Sequence, residues 1–188
     1  DILSHATNRI AEGEVLQLMN INDPDIGEKR YIDVIVRKTA TLFEAGTRLA
    51  GVISKADEAT EQALAAYGMD LGIAFQIVDD TLDYTGKDIG KNVGDDLEEG
   101  KPTLPLIRAM QTAAPEKASV VRDAKENGGR DRIEEIMQII RETDAIDYSI
   151  ALARKHADAA TRELEILPAS PYKDALAELA DFAVNRDY

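Results

Sequence analysis

The sequence predicts an all-α protein, and three observations carry that prediction. Apolar residues recur at three- and four-residue spacing in every long segment. No run alternates with the two-residue period of a half-buried strand. Compact turn signals divide the segments: residues 20–27, Gly128-Gly129, and Pro168-Ala169-Ser170-Pro171. The 188 residues are 44% hydrophobic, enough for one domain with a buried core.

In chain order, residues 1–19 read as one helix, with Ile2, Ala6 and Ile10 four apart. The chain opens as the inside of a helix, so residues 1–188 are expected to form the C-terminal part of a single, larger all-α domain. Gly13 lies mid-helix, in Glu12-Gly13-Glu14-Val15-Leu16-Gln17, where glycine costs roughly 1 kcal/mol relative to alanine. It marks either a close approach by another helix or ligand, or a tolerated surface position. A second helix spans about 28–53 with Ile32, Ile35, Val36, Thr39, Leu42, Phe43, Gly46, Leu49 and Ala50 inward. Lys38 lies on or beside that face; a lysine there either meets an anion or snorkels its ammonium to water. Asp57 is the N-cap of the next helix. That helix runs toward Gly86, and its ~29 residues span about 43 Å, implying a tall-walled bundle.

The acidic end of this long helix focuses the functional reading. Leu64, Tyr67, Leu71, Phe75, Val78 and Leu82 form its apolar stripe. Beside it run Gly68, Gly72, Gln76, Asp79 and Asp83, and Asp80 adds a third acid three residues before Asp83. Carboxylates at a helix C-terminus oppose its dipole, and each like-charged pair costs about 1 kcal/mol at about 4 Å even in water. Either the acids form a solvated helix end or they hold a cation. No His or Cys lies nearby, so an all-oxygen site suits Mg²⁺, which shares its shell with substrate phosphates.

Residues 85–105 are rich in glycine and charge and include Lys87, Lys91 and Lys101. Neither an EF-hand register nor a Walker A ending fits them. They suit a lid over a polyphosphate, or an ordinary surface loop. Further helices are expected at about 103–113, 115–127, 130–142, 144–166 and 171–186, each with an apolar stripe.

Composition excludes several classes. There is no Cys, and His5 and His156 stand apart with no partner motif, so thiolate chemistry and Cys-ligated metals are ruled out. The net charge of −14, from 36 acids against 22 bases, argues against nucleic-acid binding. No apolar run approaches the ~20 residues of a membrane span, and no signal peptide opens the chain. A cytoplasmic protein is expected.

Taken together, four ordered motifs resemble the C-terminal half of the trans-polyprenyl diphosphate synthases. They are Gly13-Glu14 with Gln17, Lys38-Thr39, Phe75-Gln76 leading into Asp79-Asp80-Thr81-Leu82-Asp83, and Gly90-Lys91, Asp96 and Gly100-Lys101 before Thr103-Leu104-Pro105. The resemblance spans roughly residues 4–110 and implies an antiparallel bundle of the isoprenoid synthase type with a central cavity. It implies Mg²⁺-dependent condensation of isopentenyl diphosphate with an allylic prenyl diphosphate, giving a medium- or long-chain product. Ionisation yields an allylic cation, isopentenyl diphosphate adds, and proton loss to the released diphosphate restores a double bond. Asp79, Asp80 and Asp83 would hold Mg²⁺. Lys38, Thr39, Gln76, Lys91 and Lys101 would bind the allylic diphosphate, and the oxygens of Thr39 and Gln76 would face the allylic carbon. Gly68 and Gly72 would leave space along the cavity wall. A homodimer is implied. The family's first aspartate-rich motif and the isopentenyl diphosphate site are not among these residues, so the segment alone is expected to be inactive. A class I terpene cyclase mixes Asn, Ser/Thr and Glu in its second metal motif, which the all-Asp form here disfavours. A non-catalytic partner subunit tends to lose the metal ligands that this chain keeps.

Overall fold

A computed structural model of the protein describes residues 1–85 and 94–186. Among them all regular structure is helical, with no strand. The elements are α1 (Ile2–Asn20), α2 (Glu28–Ile35), a π-helical turn (Val36–Ala40), α3 (Thr41–Ser54), α4 (Glu58–Leu82) and α5 (Asp95–Glu98). They continue with α6 (Leu104–Thr112), α7 (Pro115–Asn127), α8 (Ile133–Glu142), α9 (Ala145–Glu163) and α10 (Pro171–Asn185). Single 3₁₀ turns precede α8 and follow α9.

Helix α4 is the axis of the molecule. The Asp57 carboxylate accepts from the Thr60 amide at 2.8 Å and starts it. Its second half is buried nearly all round, through Tyr67, Leu71, Ile73, Ala74, Ile77 and Val78. Helices α3 and α9 flank it, α10 and α6 pack beside them, and the principal core lies between. The small side chains Ala153, Ala157 and Ala160 on α9 are buried and let it lie close to α4. A second core of Tyr84, Leu97, Leu106, Val121, Ile136, Ile139 and Ile140 joins the end of α4 to α6, α7 and α8.

Two expectations need correction. The helix read over 28–53 is not continuous, because a π turn inserts at Val36–Ala40. The Thr41 hydroxyl donates to the Val36 carbonyl at 2.8 Å and so fills part of the widened turn. One extra residue rotates the helix beyond it by about 100°. Leu42, Gly46 and Ala50 therefore face outward, while Thr41, Ala45 and Gly51 are buried. The second concerns Gly68 and Gly72, which do not open the cavity wall. A β-carbon on Gly68 would sit 2.2 Å from Thr47 Oγ1 and 2.5 Å from the Phe43 carbonyl oxygen, and one on Gly72 2.6 Å from Ala40 Cα. These glycines let α3 press its backbone onto α4.

Candidate active site

A cavity of about 380 Å³ opens where α1, α2, the π turn, α4 and the α5 loop meet. Lys38, Thr39, Gln76, Asp79, Asp80, Asp83 and Lys101 all line it, joined by Gln17, Asn20, Tyr31, Asp95, Asp96 and Glu99. All the site residues named from the sequence, except Lys91, thus share one hollow. Lys91 and the neighbouring Lys87 lie outside the described residues.

The π turn places Lys38 and Thr39 on the cavity wall, and Gly13 of α1 makes room for it. A β-carbon at Gly13 would meet the Lys38 backbone nitrogen at 2.6 Å. Of the two readings of that glycine, close helix approach is the one observed. Lys38 does not snorkel to bulk water: its ammonium meets Glu14 at 2.6 Å and Gln17 Oε1 at 2.5 Å, both on α1. The turn containing Gly13 therefore supplies Lys38 with both its backbone space and its partners.

A chain of hydrogen bonds crosses from Thr39 to the acids. Thr39 Oγ1 donates to Gln76 Oε1 at 2.8 Å, and Gln76 Nε2 donates to Asp80 Oδ1 at 2.7 Å. The Tyr31 hydroxyl donates to Asp80 Oδ2 at 2.6 Å. An ionised Asp80 only accepts, and in that state the Gln76 amino group faces Asp80 and its carbonyl faces Thr39. Thr39 is then obliged to donate, which leaves its oxygen lone pairs for the cavity. Burial raises the Asp80 pKa to about 7, against the pull of Tyr31 and Gln76. Burial also raises the Tyr31 pKa, as does the adjacent Asp80 charge.

Asp83 and Lys101 are joined through Asp96. The Asp96 amide donates to Asp83 Oδ2 at 3.2 Å, and its carboxylate meets Lys101 Nζ at 2.8 Å. Glu99 holds the same ammonium at 2.6 Å. Burial disfavours the charged Lys101, but these two carboxylates outweigh it and raise its pKa. Asp83 rises to about 6, through burial first and the Asp96 charge second.

The three aspartates line one cavity but differ in surroundings. Asp80 is 7% exposed, with both oxygens engaged; the Asp79 side chain is 45% exposed. Among the described residues no three His, Cys, Asp or Glu side chains stand close enough to cage a metal. Mg²⁺ does not need such a cage, since one or two carboxylates, waters and substrate phosphates complete its shell. The all-oxygen donor set and the raised carboxylate pKa values fit a divalent cation.

Sequence reasoning missed Tyr31, Glu99 and Arg186, and it named Glu14 within a motif without pairing it to Lys38. Tyr31 bonds an acid 49 residues away, a pairing with no local signature. Arg186, at the end of α10, lies 3.7 Å from Asp79 Oδ1. His156, read as lacking a partner, bonds Asp70 at 2.7 Å and ties α9 to α4. No helix among the described residues is long and apolar enough to cross a membrane.

Comparison with known proteins gives concordant matches. A family model described as polyprenyl synthetase matches residues 1–142. Octaprenyl diphosphate synthase of Haemophilus influenzae is 49% identical over all of this chain, which spans 58% of that relative's length. A crystal structure of decaprenyl diphosphate synthase from Rhodobacter capsulatus superposes with a TM-score of 0.92 at 41% identity, covering 100% of this chain and 59% of that one. A polyprenyl synthase from Caulobacter crescentus, complexed with calcium and isoprenyl diphosphate, gives 0.93 at 41% identity, covering 100% and 58%.

Proposed function

The chain belongs to the polyprenyl synthetase family, and from that premise we propose that the whole protein is a trans-prenyltransferase. It condenses isopentenyl diphosphate with an allylic prenyl diphosphate. The similarity to octaprenyl and decaprenyl diphosphate synthases supports a medium- or long-chain product. The observation that carries the proposal is the convergence of Lys38, Thr39, Gln76, Asp79, Asp80, Asp83 and Lys101 on one cavity. Terpene cyclisation and a purely structural subunit lack comparable support.

In the reaction the allylic C–O bond breaks, the diphosphate keeps the electron pair, and the double bond of isopentenyl diphosphate attacks the allylic carbon. A proton then leaves to the released diphosphate. The barrier is charge separation, so fixed charges and dipoles around the site supply most of the acceleration. Asp79, Asp80 and Asp83 would hold Mg²⁺, which when bound withdraws charge from the leaving diphosphate. The calcium and isoprenyl diphosphate seen with the Caulobacter protein fit that pairing of ligands. Lys38 and Lys101 hold the diphosphate as point charges, with Lys91 assigned the same task. Thr39 would present lone pairs to the allylic carbon because its hydroxyl donates its hydrogen bond to Gln76 Oε1. A homodimer working in the cytoplasm is part of the same proposal.

The test is Asp79→Ala in the full-length protein. Condensation should fall by orders of magnitude with the helical circular dichroism unchanged; an unchanged rate removes the metal assignment.

A further inference from the structure

The C-terminal end of α10 makes an approach to α4 that no motif anticipates. Helix α10 stops at Asn185, and Arg186 turns into extended backbone, φ −69° and ψ 138°. Its side chain is only 11% exposed. The guanidinium lies 4.0 Å from the centre of the Phe75 ring and donates to the Phe75 carbonyl at 3.0 Å. In an α-helix that carbonyl also receives the Asp79 amide, four residues on. The same terminal nitrogen is 3.7 Å from Asp79 Oδ1. Arg186 Nε is buried and has no hydrogen-bond partner, so this seat leaves a donor unsatisfied.

The two lysines that line the cavity are already engaged. Lys38 is held by Glu14 and Gln17, and Lys101 by Asp96 and Glu99. Among the described residues, Arg186 is the cation that stands beside one of the three aspartates.

We propose that Arg186 is a positioning residue for Asp79: a built-in counter-cation, fixed on Phe75, that opposes divalent metal at that carboxylate and so holds down the site's affinity for free Mg²⁺. This rests on the reading of Asp79 as a metal ligand. A guanidinium fixed on an aromatic face cannot swing away at low cost, because leaving forfeits the cation–π contact and the carbonyl bond together. A divalent ion arriving at Asp79 meets a positive charge a few ångströms off, and Coulomb repulsion there weakens binding by about 3–10-fold.

The experiment is calorimetric titration of the metal-free, full-length protein with MgCl₂ alone, with no substrate present. Wild type is compared with Arg186→Gln, Arg186→Lys and Asp79→Ala. Arg186→Gln should bind Mg²⁺ about 3–10-fold more tightly than wild type, from the same Coulomb argument. Arg186→Lys, which keeps the charge, should stay near wild type. A purely structural role predicts the opposite, since loosening the α10–α4 contact would weaken binding. Unchanged or weaker binding in Arg186→Gln, with binding still lost in Asp79→Ala, overturns this inference alone. Binding that survives in Asp79→Ala overturns the metal assignment and the inference together. Should Arg186→Gln melt without cooperativity, Phe75→Leu removes the aromatic face and leaves the carbonyl bond and the charge. The guanidinium, held by one contact instead of two, should then yield to the metal more readily and Mg²⁺ should bind more tightly; no tightening counts against the proposal.

Discussion

Replacing Tyr31 by Phe deletes one oxygen and leaves the ring in the core. The hydroxyl donates to Asp80 Oδ2 at 2.6 Å, and both residues are buried. A hydrogen bond to a charged group contributes about 1.5–3 kcal/mol, and Tyr31→Phe should cost that much in denaturant-induced unfolding. A double-mutant cycle with Asp80→Ala isolates the pair, and the coupling energy should fall in the same range, about 1.5–3 kcal/mol. Charge gives a second readout. Tyr31 lowers the Asp80 pKa, so its loss lets burial push that pKa beyond about 7. Asp80 then becomes a donor at neutral pH. The Gln76 amide is no longer forced to aim its amino group at Asp80, and Thr39 is released from donating to it. The acid limb of the turnover profile in the full-length protein should therefore move to higher pH. A coupling below about 0.5 kcal/mol together with an unmoved acid limb would refute the account of how Thr39 is polarised.

The metal-free protein should show an unusual stability profile with pH. Asp80 and Asp83 have native pKa values of about 7 and about 6 against 3.8 unfolded. The native state thus holds the extra protons between about 4 and 7, and stability falls as pH rises through that window. Lys125 donates to the Pro24 carbonyl at 2.8 Å, and burial lowers its pKa from 10.5 to about 8. The unfolded chain then holds the extra proton between about 8 and 10.5, and stability recovers there. Chemical denaturation across pH 5–10 should find a minimum near pH 7–8, and saturating Mg²⁺ should flatten its acid side; a maximum there would contradict both assignments. Two glycine substitutions should have opposite signs. Gly68→Ala would drive a methyl into the Phe43 carbonyl and Thr47, costing about 1–3 kcal/mol or more. Gly46→Ala meets nothing within 4 Å and should stabilise α3 by about 0.5–1 kcal/mol; urea unfolding reads both.

The helices were legible because burial is periodic: N-cap Asp57, the breaks at 20–27 and 168–171, and the order of the later elements all obey local rules. The π turn was not legible. Its cause is tertiary, in the space that Gly13 leaves for the Lys38 backbone, and its effect is to turn Leu42, Gly46 and Ala50 outward while Phe43 still packs on the core. Gly68 and Gly72 were visible as a small-residue stripe, but spacing alone cannot say whether such a stripe faces a cavity or a helix. At the site, sequence reached the residues whose types are chemically unusual for their place, such as acids at a helix C-terminus. It did not reach ordinary residues made functional by contact. Tyr31 looks like core, and Arg186 lies 107 positions after Asp79.

That division bears on how the cavity works. Among its described lining residues stand six carboxylates, Asp79, Asp80, Asp83, Asp95, Asp96 and Glu99, against the ammonium groups of Lys38 and Lys101. Both lysines already have acidic partners. A diphosphate entering alone would meet a wall of its own sign; burial first, and the Asp96 charge after it, raise the pKa values of Asp80 and Asp83. A phosphate anion can rest there only if it brings divalent charge with it, or if charge already sits on the aspartates. Under the proposed function, this wall would favour the metal–diphosphate pair over either partner alone, and the proposed opposition of Arg186 to free metal at Asp79 would act in the same direction.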